Sequence, residues 1–248
     1  MELRNAEKLE DIRSYWNLRA PSFSKGNVEE LNSESKKEWI QTITSFAPVP
    51  EYKKVLDIGC GPGFFSIMLA QAGYQVTAVD YTDNMLEEAR KNAGNFGVEI
   101  EFLQMDAQNL TFDDGTFDFV ISRNVTWNLE QPVKAYSEWL RVLRPNGRLL
   151  NNDGNYYYHY TDDFYNKAYS EKHQGHSHKV IDGVDTGVID NIARELPLSK
   201  EMRPQWDCSI LLGMGITDLS VKISSKEKAK VSDEEREIIN KFQLFLVK

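Results

Sequence analysis

Val55-Leu56-Asp57-Ile58-Gly59-Cys60-Gly61-Pro62-Gly63-Phe64-Phe65-Ser66-Ile67-Met68-Leu69-Ala70 decides how this chain is read. A short apolar strand runs into an acid, three alternating glycines follow, and an apolar helix begins. Gly59 and Gly61 let the backbone turn sharply and approach a ligand with no Cβ in the way. The helix that opens near Phe64 presents backbone N–H groups without intrahelical partners. Together these features predict a site for an adenosine-bearing cofactor.

The glycine spacing narrows the cofactor. A dinucleotide fingerprint, G-x-G-x-x-G, places its third glycine five residues after the first. Here Gly63 follows Gly59 by four, and Phe64 holds the fifth position. Asp57 also precedes the first glycine by two. A pyrophosphate at a helix N-terminus is repelled by a carboxylate, whereas a ligand carrying an ammonium and a sulfonium is attracted. A nicotinamide dehydrogenase is disfavoured on both counts.

The 248 residues suffice for one α/β unit with an insertion, read as a single domain over 1–248. Hydrophobic residues make up 41%, enough for a substantial core. No apolar run approaches the roughly 20 residues of a membrane helix, and the polar N-terminus lacks a signal-peptide core. The expectation is a cytoplasmic protein without a membrane partner. A net charge of −9 and the lack of a basic stripe argue against nucleic acid. Cys60 and Cys208 are too far apart for metal-ligand spacing.

Strands alternate with helices along the first two thirds. Gln75–Asp80 is a second strand ending in an acid, and Thr82 caps the helix after it. Glu99–Leu103 and Phe117–Ile121 are the third and fourth strands. The helix over Gln131–Leu143 stops at Arg144-Pro145-Asn146-Gly147, before a fifth strand over Arg148–Asn152. This pattern predicts a doubly wound, mostly parallel sheet with ligands outside the carboxyl ends of its strands. Asp57, Asp80, Asp106 and Ser122-Arg123-Asn124 all fall at those ends. Thr217–Ile223 and Phe242–Val247 read as closing strands. Between them Ser232-Asp233-Glu234-Glu235 reads as a capping box that opens a helix.

At this point the chain resembles a class I S-adenosylmethionine-dependent methyltransferase of the type called methyltransferase type 11. Val55–Phe64, Asp80, Asp106-Ala107, Phe117–Asn124 and Leu143–Arg148 carry the likeness, over roughly residues 50–152. The resemblance implies a seven-stranded sheet of order 3-2-1-4-5-7-6 with its last strand antiparallel. It also implies S-adenosyl-L-methionine as cofactor. Asp57, Gly59, Cys60, Gly61, Gly63 and Phe64 match the loop around the methionine part. Asp80 matches the acid on the ribose hydroxyls, Tyr81 and Met85 flank the adenine, and Asp106 with Ala107 meets its amino group. Arg123 and Asn124 match the stretch facing the sulfonium and the substrate. Residues 1–40 resemble a helical lid, with Tyr15 and Arg19 as cofactor contacts.

Residues 155–205 break the alternation and read as a cap insertion. Six of the eleven tyrosines and all four histidines fall within 156–178. His159 and Tyr158 are candidate bases or relays for an acceptor that must lose a proton. Trp127, Asn155, Tyr156 and His178 are candidate substrate contacts. The histidines carry three readings: acid–base work, metal ligation by His173, His176 and His178, or a polar surface loop. No metal is assigned.

The expected activity is in-line methyl transfer to a small-molecule acceptor, by a monomer or homodimer. Arsenite methylation needs positioned thiols, which two distant cysteines do not supply. Ser122-Arg123-Asn124-Val125 lacks the Pro-Pro-aromatic turn of amino-methylating DNA enzymes. The alternative is a non-catalytic S-adenosylmethionine-binding sensor or assembly protein.

Overall fold

The computed structural model describes residues 2–172 and 180–248, with side chains from residue 8 onward. His173, His176 and His178 lie outside the described residues. Two helices lead, α1 (Glu2–Leu31) and α2 (Glu34–Phe46). Next come β1 (Lys54–Ile58), α3 (Phe64–Gln71), β2 (Gln75–Asp80), α4 (Asp83–Asn95) and β3 (Glu101–Gln104). β4 (Phe117–Arg123), α5 (Pro132–Val142) and β5 (Leu143–Gly154) follow. The next segment holds α6 (Asp163–Lys172), the short strands β6 (Val180–Ile181) and β7 (Val184–Asp185), α7 (Gly187–Ala193) and α8 (Gln205–Gly213). β8 (Asp218–Val231) and β9 (Glu234–Val247) close the chain.

The large sheet runs β3-β2-β1-β4-β5-β9-β8, the expected order. Its first five members are parallel, and β9 runs antiparallel to both β5 and β8. Period-two alternation sorts the two cores. Val55, Phe119, Ile121 and Leu150 pack with Ile67, Met68 and Leu69 of α3. Leu56, Ile58, Val120 and Leu149 pack with Tyr136 and Trp139 of α5. Asp57 follows Val55 by two and therefore faces α3, where Ser66 donates a hydrogen bond to its carboxylate.

The helix expected from Ser232 does not form. Ser232 and Asp233 are instead the two-residue turn of a hairpin, since Val231 pairs with Glu234. A capping box needs an apolar stripe of period 3.6 behind it. The residues here alternate with period two. Val231 and Ile238 turn in against Phe164 and Tyr165, while Lys226–Glu237 (2.9 Å) and Lys228–Glu235 (3.4 Å) pair outside. β9 therefore carries its side chains to the ligand-binding edge of the sheet.

Beneath that edge lies a buried polar network. Arg203 donates to both oxygens of Asp207 (2.9 and 2.7 Å) and to Thr126 Oγ1 (2.7 Å), and its Nη1 lies 3.2 Å from Asp153. Tyr136 donates to Asp207 (2.6 Å), and Asn151 donates to Tyr136 (2.9 Å). Asp153 accepts from the Thr126 hydroxyl and the Trp127 N–H. Arg203, Asp153 and Asp207 are all 0% exposed. The network thus pins the loop after β4 from below.

Two measurements follow from this architecture. Arg203→Met leaves two buried carboxylates without their cation and is expected to cost about 3–5 kcal/mol in urea denaturation. Removing both charges as well (R203M with D153N and D207N) should recover part of that loss. Ser232 sits at φ 56, a left-handed conformation that L-residues resist. Ser232→Gly should therefore stabilise the hairpin by about 1 kcal/mol in the same assay, and Ser232→Val should destabilise it.

Candidate functional site

A cleft of ≈ 630 Å³ opens along the carboxyl edge of the sheet, within the size range of small-molecule sites. Its floor is the turn after β1. Gly59 has φ +64, and a Cβ there would stand 2.3 Å from Val125 Cγ2. Gly61 has φ +52 and faces open space on the cleft side. Any side chain at either position would be strained, and at Gly59 it would also collide with the loop after β4.

Two acids flank this turn. Asp80 at the end of β2 accepts from the Gly61 N–H and the Thr82 N–H, both at 2.9 Å. The Thr82 hydroxyl and the Tyr81 N–H also act on this carboxylate, which still lines the cleft. Burial pushes the Asp80 carboxyl above its ordinary value, against the pull of those backbone donors. Asp57 is 2% exposed. Burial pushes its carboxyl up to about 7; the Ser66 hydrogen bond opposes that shift and the neighbouring Asp80 charge adds to it. The floor therefore concentrates negative charge where water is scarce, a setting that a cationic ligand relieves.

At one end, Asp106 Oδ1 accepts from the backbone N–H and the side-chain amide of Gln108 (2.9 and 3.0 Å). Its Oδ2 is left for a ligand donor. Ala107, Tyr81 and Met85 border the same end, with Met105 and Leu129 beside them. Ala107 is fixed by the Trp139 indole N–H, which donates to its carbonyl at 2.9 Å.

The roof is α1. It is fastened by the Arg13–Asp83 ion pair, by Tyr81 donating to Glu10 (2.7 Å), and by Asn84 donating to Asn17 (3.0 Å). Ile12, Trp16, Arg19 and Phe23 hang into the cleft. Arg19 is held by Ser22 Oγ at 3.2 Å and lies over the Phe23 ring.

At the other end stand Arg123, Asn124, Trp127, Tyr156 and Tyr157. Arg123 pairs with Glu30 of α1 (3.0 Å) and lies over the Phe64 ring at 4.9 Å. Asn124 holds φ 59, and its Oδ1 accepts from the Tyr156 hydroxyl at 2.6 Å. Burial raises both the Tyr156 and Tyr157 phenols, so both are neutral near pH 7. Trp127 packs within 6.3 Å of Trp16, 5.7 Å of Tyr156 and 5.2 Å of Tyr157. These rings form an aromatic wall.

Asp57, Gly59, Cys60, Gly61, Phe64, Asp80, Tyr81, Met85, Asp106, Ala107, Arg123, Asn124, Arg19, Trp127 and Tyr156 thus share one cleft. Gly63 stands just behind it as the N-cap of α3, at φ 92. Four expectations need correction. Tyr15 packs into the core beside Trp16 and Ile12 rather than on the cleft. Asn155 spends its amide on the Arg203 and Ile239 carbonyls (2.6 and 3.0 Å), joining two segments. His159 stacks on Tyr169 at 3.9 Å, and Tyr158 meets Tyr165 edge-on at 4.9 Å. Neither lines the cleft, because the chain coils into a short 3₁₀ turn over Tyr158–Tyr160. Tyr157 is the last residue of that run to reach the cleft. His178 lies outside the described residues.

Sequence reasoning missed Glu30 and Lys241 as lining residues; Tyr157, in the run Tyr156–His159 expected to reach the cleft, does line it. It also missed the buried support from Arg203 and Asp207. Glu30 and Lys241 carried no local signal, since each reaches the site only through long-range packing. The alternation from Val231 through Leu246 was the one available clue to Lys241.

A sequence profile described as a methyltransferase domain matches residues 56–151. A demethylmenaquinone methyltransferase from Clavibacter sepedonicus is 37% identical over 111 residues, covering 45% of this chain and 44% of that one. The chain spans about half the length of the curated relatives it matches at 35% identity or above. Among solved structures, a putative methyltransferase from Bacillus halodurans C-125 aligns with TM-score 0.57 and 18% identity, over 84% of this chain and 96% of that one. A phosphoethanolamine N-methyltransferase 2 from Haemonchus contortus, in complex with S-adenosyl-L-methionine, aligns with TM-score 0.58 and 17% identity, over 86% of this chain and 52% of that one. At such identities the structural likenesses speak for the fold. The matched profile, the strand order and the glycine-rich acidic edge together make residues 56–151 similar to the methyltransferase domain of class I S-adenosylmethionine-dependent enzymes.

Proposed function

We propose that this protein moves a methyl group from S-adenosyl-L-methionine to a small-molecule acceptor bound against the aromatic wall. The observation that carries the reading is the pair of buried acids, Asp57 and Asp80, astride a glycine turn under a roofed cleft. The cofactor supplies an activated methyl on a sulfonium, so the hard chemistry is its own. Asp80 would hold the ribose hydroxyls, and Asp106 Oδ2 the adenine amino group. Gly61, bare of a Cβ, admits the methionine part, and Arg19 offers a cation to its carboxylate. Asp57 supplies the negative charge that the ammonium and sulfonium favour.

In the transfer, a lone pair of the acceptor forms the bond to the methyl carbon. When bound, the cofactor would supply that methyl and its sulfur would keep the bonding pair, while a proton on the acceptor would have to reach solvent past the aromatic wall. Asn124 and Tyr156 would position the acceptor atom; holding it in line is the protein's main contribution to rate. Trp16, Trp127, Tyr156 and Tyr157 keep water from the reacting atoms and suit a flat acceptor. A second compartment beside the cofactor end favours turnover over sensing, since a sensor needs no place for an acceptor.

Incubation with methyl-labelled cofactor and a metabolite extract should transfer label to a small product. Cofactor binding with no labelled product across broad extracts would support the sensor instead. Asp80→Ala should weaken S-adenosylhomocysteine binding at least tenfold by calorimetry, from the loss of charge-assisted hydrogen bonds.

The raised Asp57 carboxyl sets the pH dependence of binding. At and below about pH 7 it is increasingly protonated. The cationic cofactor binds the carboxylate form, so affinity should rise from pH 6 to 8 and level off above that. The slope should approach tenfold per unit on the acid side, and Asp57→Asn should flatten it. An affinity independent of pH in the wild-type protein would remove Asp57 from the site.

A further inference from the structure

The cleft is chemically lopsided. Asp57 and Asp80 flank the floor and Asp106 stands at one end, the roof contributes Arg13 and Arg19, and two cations, Arg123 and Lys241, stand at the other end. The two cations are not equivalent. Arg123 is satisfied by Glu30 at 3.0 Å and by the ring beneath it. Lys241 lines the cleft from β9, is exposed, and has no carboxylate partner among the described residues.

The position of Lys241 is set by the sheet. It pairs in register with Gly154 of β5. Gly154 is itself covered by Tyr156, whose Cζ would come within 3.2 Å of a Cβ built at Gly154. Lys241 is therefore the strand neighbour of the backbone under Tyr156, the ring that donates to Asn124. From β1 to β9 the sheet steps across β4 and β5, about 4.8 Å per strand or roughly 14 Å in all. Lys241 thus enters the cleft two strands beyond β4, the strand that leads into Asn124, on the side away from the Asp57 turn.

Resting on the methyltransferase reading, we infer that the acceptor carries an anionic oxygen group, carboxylate or phosphate, which Lys241 holds at the far end of the cleft. The reacting atom then lies by Asn124 and Tyr156, and the anion anchors the other side of the molecule. A lysine is a mobile point charge, so it selects charge rather than the planar geometry an arginine would demand. Glu30 stands near Arg123 at this end and disfavours an acceptor with a second, more central negative charge. Lys241 acts here as a specificity determinant and takes no part in bond making.

The test uses the full-length protein saturated with S-adenosylhomocysteine, titrated by calorimetry with benzoate, phenyl phosphate, benzamide and benzylamine. At least one anion should bind about tenfold more tightly than benzamide and benzylamine, and the better of the two names the group. Lys241→Gln should reduce that anion to the level of benzamide, Lys241→Arg should keep the preference, and both should leave S-adenosylhomocysteine affinity within twofold. Equal binding of all four probes, a preference that survives Lys241→Gln, or no binding by any probe would overturn the assignment. Failure of S-adenosylhomocysteine to bind the wild-type protein would instead overturn the methyltransferase reading.

Discussion

Two carboxylates at the ends of adjacent parallel strands, shielded from water, are the constraint around which this molecule is organised. Burial raises the proton affinity of both Asp57 and Asp80, and the neighbouring Asp80 charge raises that of Asp57 further. Such a pair is an unfavourable feature for a fold, and it persists only because the surroundings are over-determined. Ser66 of α3, the Gly61 N–H and the Thr82 N–H each supply a donor. The two cores on either side of the sheet hold those donors in place. The unfavourable charge is what makes the edge receptive to a positive ligand.

The parts of this arrangement that are local in the chain were legible before any coordinates. Val55–Phe64 has a strand period, an acid and glycines in a fixed order, and each item has a direct backbone consequence. Asp80 and Asp106 were readable because both follow short apolar strands. The strand order followed from the alternation of elements and from the family resemblance. What failed was information carried by distant partners. Ser232-Asp233-Glu234-Glu235 satisfies a helix-start pattern as well as a hairpin, and only the pairing of β8 with β9 decides between them. His159 stood in the right stretch, but a single 3₁₀ turn rotated it into the cluster with Tyr169. Arg203 has no motif at all; its role exists only because Asp153, Asp207 and Thr126 converge on it.

The support for the acceptor end is unlike that of the cofactor end. The floor under the glycine turn is apolar and rests on α3. The loop bearing Trp127 rests instead on a buried ion network, in which Arg203 is shared between two carboxylates. Buried pairs of this kind contribute little net stability beside well-packed apolar residues. They do fix orientation, since each hydrogen bond constrains its partners. The Trp127 backbone is thereby fixed, and its ring packs against Tyr156, Tyr157 and Trp16 of α1.

The fastening of α1 is of two kinds. Its clasps are the Arg13–Asp83 and Arg123–Glu30 pairs and the Tyr81–Glu10 hydrogen bond, all partly open to solvent. Exposed ion pairs hold weakly and are screened by dissolved ions. These polar clasps weaken as ionic strength rises, whereas the buried Ile12, Tyr15, Ala20 and Leu31 hold α1 to the body irrespective of salt. An electrolyte therefore acts on the rim of the cleft and leaves the apolar seat of α1 untouched.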